Sequence, residues 1–136
     1  MIVTVKEQYP CSAERLWKAI SVHEEMIQWY FENIPHFEAL PGSRTAFEVQ
    51  SGERTFTHIW TVLAVDPENL LTYSWEYDEY PGKGEVSFEL EKLEEGLTQL
   101  KLSFIGLESF PKDVPEFTKE SCTAGWKYFL TEKLLS

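Results

Sequence analysis

The sequence predicts an α+β fold in which an antiparallel β-meander packs around a long C-terminal helix, with two short helices after the first strand. Three observations predict it. From Thr45 to Phe104 apolar and polar residues alternate with period two, and turn-forming residues separate the runs. From Asp113 to Leu135 the period lengthens, with Cys122, Gly125, Trp126, Phe129, Leu130 and Leu134 at offsets of three and four. Between Pro10 and Tyr30 two helix-start signals follow one another closely.

The opening strand is Ile2 to Tyr9, where Ile2, Val3, Val5 and Tyr9 flank Thr4, Lys6 and Gln8, and Pro10 ends it. Ser12 is the cap of a first helix that carries Leu16, Trp17, Ala19 and Ile20. Ser21 is expected to start a second, with Glu24 at the capping-box position and Met26, Ile27, Trp29 and Tyr30 as its apolar content. Ile34 to Leu40 reads as a weak strand stopped by Pro41-Gly42. Thr45 to Gln50 follows, then a Ser51-Gly52-Glu53 hairpin turn and the long run Phe56 to Val65.

Asp66 to Asn69 is a turn, and Leu70 to Tyr77 alternates cleanly. A Pro- and Gly-rich loop leads to Val86, Phe88 and Leu90, and Glu94-Glu95-Gly96 to Leu100, Leu102 and Phe104. Short turns imply antiparallel neighbours, and alternation implies one wet face and one covered face. The covered face offers Leu71, Tyr73, Trp75, Tyr77, Val86, Phe88, Leu90, Leu100, Leu102 and Phe104. The last helix is the element long enough to cover it. Asp113 is its expected N-cap, Glu116 completes a capping box and Pro115 sits in the first turn. Gly125 interrupts its apolar face, leaving room for a close strand or a ligand, or marking tight packing.

At 136 residues the chain reads as one domain, 1–136, long enough to bury a core. An aromatic fraction of 15% suits either a bulky core or a ring-lined cavity. The net charge of −11, with Lys and Arg scattered, argues against nucleic-acid partners and anionic membrane surfaces. No apolar run approaches the ~18 residues of a membrane span, and Met1 to Pro10 has no signal-peptide core. Cys11 and Cys122 lack any ligand spacing and read as free thiols, so a cytoplasmic protein is expected.

His23, His36 and His58 are far apart, without paired ligands, so no metal and no cofactor is expected. His58 lies in a strand, either as a pocket proton donor or as a satisfied core or surface residue. Glu48 and Glu76 fall out of phase with their apolar neighbours and are expected on the solvent face, not beside His58.

The order of elements resembles the START-like, or birch-pollen-allergen-like, helix-grip fold. The stretch Pro10-Cys11-Ser12-Ala13-Glu14-Arg15-Leu16-Trp17-Lys18-Ala19-Ile20 is similar to the opening of the AHSA-like family (activator of heat-shock-protein ATPase homologue) of the SRPBCC superfamily. So are Gln28-Trp29-Tyr30-Phe31, the run from Val62 through Pro67 to Trp75, and Gly125-Trp126 with Leu130. Two departures stand out: Trp60 where a small residue is frequent, and Pro41-Gly42-Ser43 where paired glycines are common. A Trp60 turned inward would shrink the cavity.

The resemblance implies an apolar cavity between sheet and C-terminal helix that takes lipid, polyketide-like or other apolar molecules. The residues expected there are Trp29, Phe47, His58, Tyr73, Trp75, Tyr77, Phe88, Phe104, Cys122, Gly125, Trp126 and Phe129, with His58, Tyr73 and Tyr77 orienting the ligand. The first functional reading is a small soluble binding protein, a monomer or weak dimer. A cyclase- or hydrolase-like enzyme using the same cavity is the second, and a module contacting a chaperone the third.

Overall fold

The structure, a computed structural model, describes residues 1–135. Strand β1 (Ile2–Tyr9) leads into helices α1 (Ala13–Ser21) and α2 (His23–Trp29). Strands β2 (Arg44–Ser51), β3 (Arg54–Asp66), β4 (Leu70–Tyr77), β5 (Gly84–Glu94) and β6 (Leu97–Ile105) follow, and helix α3 (Lys119–Tyr128) closes the chain. One six-stranded open sheet runs in the order β1-β6-β5-β4-β3-β2, antiparallel throughout. The expected α+β helix-grip architecture is therefore present.

The covered face is the one that alternation selects. Leu71, Tyr73, Trp75, Val86, Phe88, Leu90, Leu100, Leu102 and Phe104 are buried, and Tyr77 is half-buried at its edge. In β3 the apolar residues of both parities have a simple explanation. Phe56, His58, Trp60 and Val62 point inward until a bulge at Leu63 shifts the register from Val62↔Tyr73 to Ala64↔Thr72. Leu63 is consequently exposed, and Val65 packs against the core instead.

Three local expectations are corrected. Ile34 to Leu40 forms no strand. Pro35 has no N–H for a ladder, and the buried residues, Ile34 and Phe37, are spaced by three rather than two. Ser21 does not start α2; it ends α1, with its hydroxyl donating to the Trp17 carbonyl at 2.5 Å, and Val22 is the residue between the two helices. The final helix is shorter than Asp113 to Leu135. Proline disfavours helical backbone in the residue before it, and Val114 is extended. Pro115–Phe117 makes one 3₁₀ turn, Thr118 is extended again, and its hydroxyl caps α3 by accepting from the Ser121 N–H at 3.2 Å. Glu116 leaves the helix altogether. Its Oε2 accepts from Ser51 at 2.7 Å, so it ties the approach to α3 to the β2–β3 hairpin.

Beyond Tyr128 the helix widens into a π turn, Phe129–Lys133. The Leu134 N–H reaches back to Phe129, and the Leu130 carbonyl accepts instead from the buried Tyr9 hydroxyl at 2.7 Å. The covering layer is thus shared. Trp29 and Tyr30 at the end of α2, Phe37, Phe110, Phe117 and Trp126 are all buried over the sheet.

Trp60 is fully enclosed, with ring centroids 4.8 Å from Phe47, 4.8 Å from Tyr73, 5.1 Å from Tyr30 and 5.2 Å from Trp75. Its indole N–H has no hydrogen-bond partner. Trp60→Ala is expected to cost about 3–5 kcal/mol through lost burial and the cavity left behind. Trp60→Phe should cost clearly less, because it also removes an unpaired buried donor. Urea denaturation of the two variants checks the order.

Candidate functional site

A cleft of about 260 Å³ opens between the inward faces of β2, β3 and β4 and helix α3. Pleating sets its sheet wall. Phe56 and His58 on β3, and Trp75 and Tyr77 on β4, are alternate residues that point the same way. Helical spacing sets the opposite wall, where Cys122, Gly125, Trp126 and Phe129 fall on one face of α3 and its π turn. Phe31, just past α2, Val49 and Ser51 on β2, and Glu116 complete the lining.

Seven of the expected residues therefore meet here: His58, Trp75, Tyr77, Cys122, Gly125, Trp126 and Phe129. The other five stand behind the walls. Phe47 stacks on His58 with centroids 5.1 Å apart and planes 10° apart. Phe88 and Phe104 back Trp126 and Trp75, at 6.0 and 5.6 Å. Tyr73 shares a hydrogen bond with Tyr30, 2.9 Å between hydroxyls, behind Trp60. Trp29 donates its indole N–H to the Ala19 carbonyl at 2.7 Å.

Lining residues outside the sequence reading have different explanations. Phe56 shares the parity of His58, and Val49 that of Phe47, so both follow once either strand is phased. Phe31 lies in irregular chain with no period. Glu116 carries the spacing of a capping box but performs another role.

Gly125 now has a definite environment. A Cβ at this position would meet no atom within 4 Å. The glycine borders the cleft, and neither a close strand nor tight packing accounts for it.

His58 is the polar centre. Phe31, Tyr77 and Trp75 lie 5.1, 4.9 and 5.3 Å from its ring, and Phe47 covers its face. Its Nδ1 is 3.0 Å from the Phe56 carbonyl oxygen. A carbonyl only accepts, so Nδ1 carries the proton and Nε2 is the acceptor tautomer. Burial among rings pushes the imidazole down to about 4, the Phe56 carbonyl and the Glu79 charge opposing it.

Tyr77 accepts from the Trp75 indole N–H at 2.7 Å, and burial raises its hydroxyl well above the ordinary tyrosine range. Burial also pushes the Cys122 thiol up to about 11, so it is not a thiolate. Glu116 is held below its ordinary value chiefly by the Ser51 hydroxyl, with burial opposing and Arg54 adding.

Glu48 is exposed, Glu76 is half-buried, and neither bonds to His58. Glu116 shares the cleft without bonding to His58 either. Among the described residues no three His, Cys, Asp or Glu side chains converge as a metal site would require. Nor is any described helix long and apolar enough to cross a membrane.

The buried neutral His58 fixes one sign of pH dependence. The unfolded chain binds its proton near 6.5 and the folded chain only near 4. The associated stability is complete above about pH 6.5 and is lost as the pH falls toward 4. Wild type should lose about 2 kcal/mol between pH 7 and pH 5 through this residue. His58→Gln should lack that slope. Urea midpoints of both proteins at the two pH values check it, both lying above the usual carboxylate range.

The family model for "Activator of Hsp90 ATPase homolog 1-like protein" matches residues 10–135. Among curated protein sequences none matches the chain. Solved structures share its fold. A crystal structure of a protein from Mesorhizobium loti has 24% identity and a TM-score of 0.72, covering 95% of this chain and 90% of that one. The solution structure of the Aha1 dimer from Colwellia psychrerythraea has 16% identity and a TM-score of 0.73, covering 96% and 90%. The crystal structure of CalU16 from Micromonospora echinospora has 20% identity and a TM-score of 0.67, covering 95% and 71%. With the family pattern running through nearly all of its elements, from the cap of α1 to the π turn, the chain belongs to the activator of Hsp90 ATPase homolog 1-like family.

Proposed function

We infer that the protein binds a small apolar or aromatic molecule in the cleft between the sheet and α3. The observation that carries this reading is a cleft bordered by the exposed Gly125 that stays unfilled although most of its lining is aromatic. Rings that line an open cleft would gain apolar burial and dispersion contacts from an occupant that displaces water. About 260 Å³ is room for a molecule of one or two rings, set against the ~150 Å³ apolar cavity that holds benzene. Burial of its surface would supply affinity at ~25 cal/mol per Å². His58 and Tyr77, each with one hydrogen-bonding position left over, would orient it. Two free thiols, Cys11 and Cys122, suit a reducing, cytoplasmic setting.

A second reading has an observation of its own. Ile2 and Ile105 are directly paired across β1 and β6 on the outer face, 58% and 42% exposed, with Met1 beside them. An exposed apolar cluster of this kind suits a protein contact. The family's printed name points to a chaperone of the Hsp90 type, and the Colwellia relative is described as a dimer. Ile2→Lys/Ile105→Lys should abolish such contacts while leaving small-molecule binding intact.

Gly125→Leu tests the first reading. The change should raise helix propensity by up to about 1 kcal/mol and fill the cleft with a branched side chain. The variant is expected to keep or gain thermal stability and to lose the thermal shift and indole fluorescence change that a panel of hydrophobic compounds produces in wild type. A stable variant that still binds every compound would place the site elsewhere. A variant destabilised by the ~1–3 kcal/mol of overpacking would tell against the cleft as an empty site.

A further inference from the structure

The polar atoms of the cleft divide into those already committed and two that are not. Glu116 is the charged side chain of the lining, and the Ser51 hydroxyl and Arg54 take up its charge, at 2.7 and 3.7 Å. Its Oε1 is enclosed and presents nothing to an occupant. His58 is only 5% exposed, and its Nδ1–H is committed to Phe56. No donor among the described residues reaches Nε2, and Nε2 is not one of the enclosed atoms, so the surface it keeps belongs to the cleft that its ring lines. Tyr77 is the complement. Its oxygen accepts from the Trp75 indole N–H at 2.7 Å, which leaves the hydroxyl proton to give. His58 and Tyr77 are register partners on β3 and β4, with ring centroids 4.9 Å apart. One bare acceptor and one unused donor therefore stand side by side in a wall of rings.

Neither group brings a charge. Burial disfavours both ions, so His58 stays neutral above about pH 4 and the Tyr77 hydroxyl keeps its proton. Among the described residues the lining contains no Lys or Arg. A carboxylate would enter without a partner, and against the net charge of −11. An ammonium would find no unpaired carboxylate oxygen to meet it. An occupant with no polar group at all would strip water from Nε2 and from the Tyr77 hydroxyl and put nothing in its place. A hydroxyl answers both needs, because it donates one hydrogen bond and accepts others.

We propose that the occupant of the cleft is an uncharged aromatic molecule of one or two rings bearing a hydroxyl, which donates to His58 Nε2 while the Tyr77 O–H donates to an oxygen of the same molecule. This rests on the ligand-binding reading above and names its chemistry. The aromatic body follows from the ring walls, its size from the volume, and the hydroxyl from the two uncommitted positions. A bare hydrocarbon, or an ion of either sign, fits the walls but not these two groups.

Four probes that share one ring body separate the possibilities: 2-naphthol, 2-methylnaphthalene, 2-methoxynaphthalene and 2-naphthoate, titrated calorimetrically into the full chain at pH 7. The methyl compound matches the naphthol in shape, and the methoxy compound keeps its oxygen but not its donor. The naphthol is expected to bind at least about fivefold more tightly than either, and the naphthoate most weakly. His58→Phe keeps a ring at the position and removes the acceptor. It should bring the naphthol to within about twofold of the methoxy compound, whose own affinity stays unchanged. Should His58→Phe not fold, the wild-type ranking alone decides. A naphthol no tighter than the methyl or the methoxy compound, a preference for naphthoate, or a naphthol advantage that survives His58→Phe overturns this inference while the ligand-binding reading stands. Binding of none of the four overturns it as well, and silence across the wider hydrophobic panel takes the parent reading with it.

Discussion

The stacking around Trp60 is the interaction on which the rest of the arrangement depends. An open sheet with one dry face needs a cover, and here the cover comes from pieces distant in sequence: the end of α2, irregular chain before β2, the 3₁₀ turns and α3. Trp60 touches Tyr30 from the first of these, Phe47 from β2, and Tyr73 and Trp75 from β4. One side chain therefore sets the distance between cover and sheet at the middle of the molecule. On its far side the space is solid with Tyr73, Phe88 and Phe37. On its near side, toward the β2–β3 hairpin, Phe31, Trp126 and Phe129 face His58 and Tyr77 across the cleft, and Gly125 leaves its α3 wall without a side chain.

How much of this was legible depends on which force wrote each element. The strands were readable because half-burial writes a period of two, and it did so at Tyr73, Trp75, Phe88 and Leu102. The bulge at Leu63 was only half readable, as apolar residues on both parities. The Ile34–Leu40 stretch misled because Pro35 and the three-residue spacing of Ile34 and Phe37 outweigh an apolar composition. At the last helix a local signal was present and a tertiary one prevailed. Asp113 and Glu116 have capping-box spacing, but the Glu116 carboxylate is worth more to Ser51 and Arg54 across the fold. Of the cleft residues, Trp75 and Tyr77 follow from the clean alternation of β4, whereas His58 lies on β3, whose apolar residues on both parities leave its face open. Phe31 and Glu116 follow from no phase, because no period governs irregular chain.

The polar chemistry of the cleft follows from the same packing. Rings around His58 take away its hydration, and a backbone carbonyl two residues away takes its proton donor. What is left is a neutral acceptor with a fixed direction. An imidazole that stays neutral down to about pH 4 is a weak base at neutral pH.

The π turn couples the two ends of the chain. Because Leu134 bonds to Phe129, the Leu130 carbonyl is turned to Tyr9, at a separation of 121 residues. The same turn carries Phe129 into the cleft wall. Strand β1 pairs with β6 only once the strands between them are in place. Closing the cleft therefore waits on contacts of high sequence separation, Tyr9 with Leu130 and Phe129 with the sheet wall, whose loop-closure entropy is paid before they reward it. Until they form, Trp75 and Tyr77 have no opposite wall, and the ring-lined face is open to other hydrophobic surfaces.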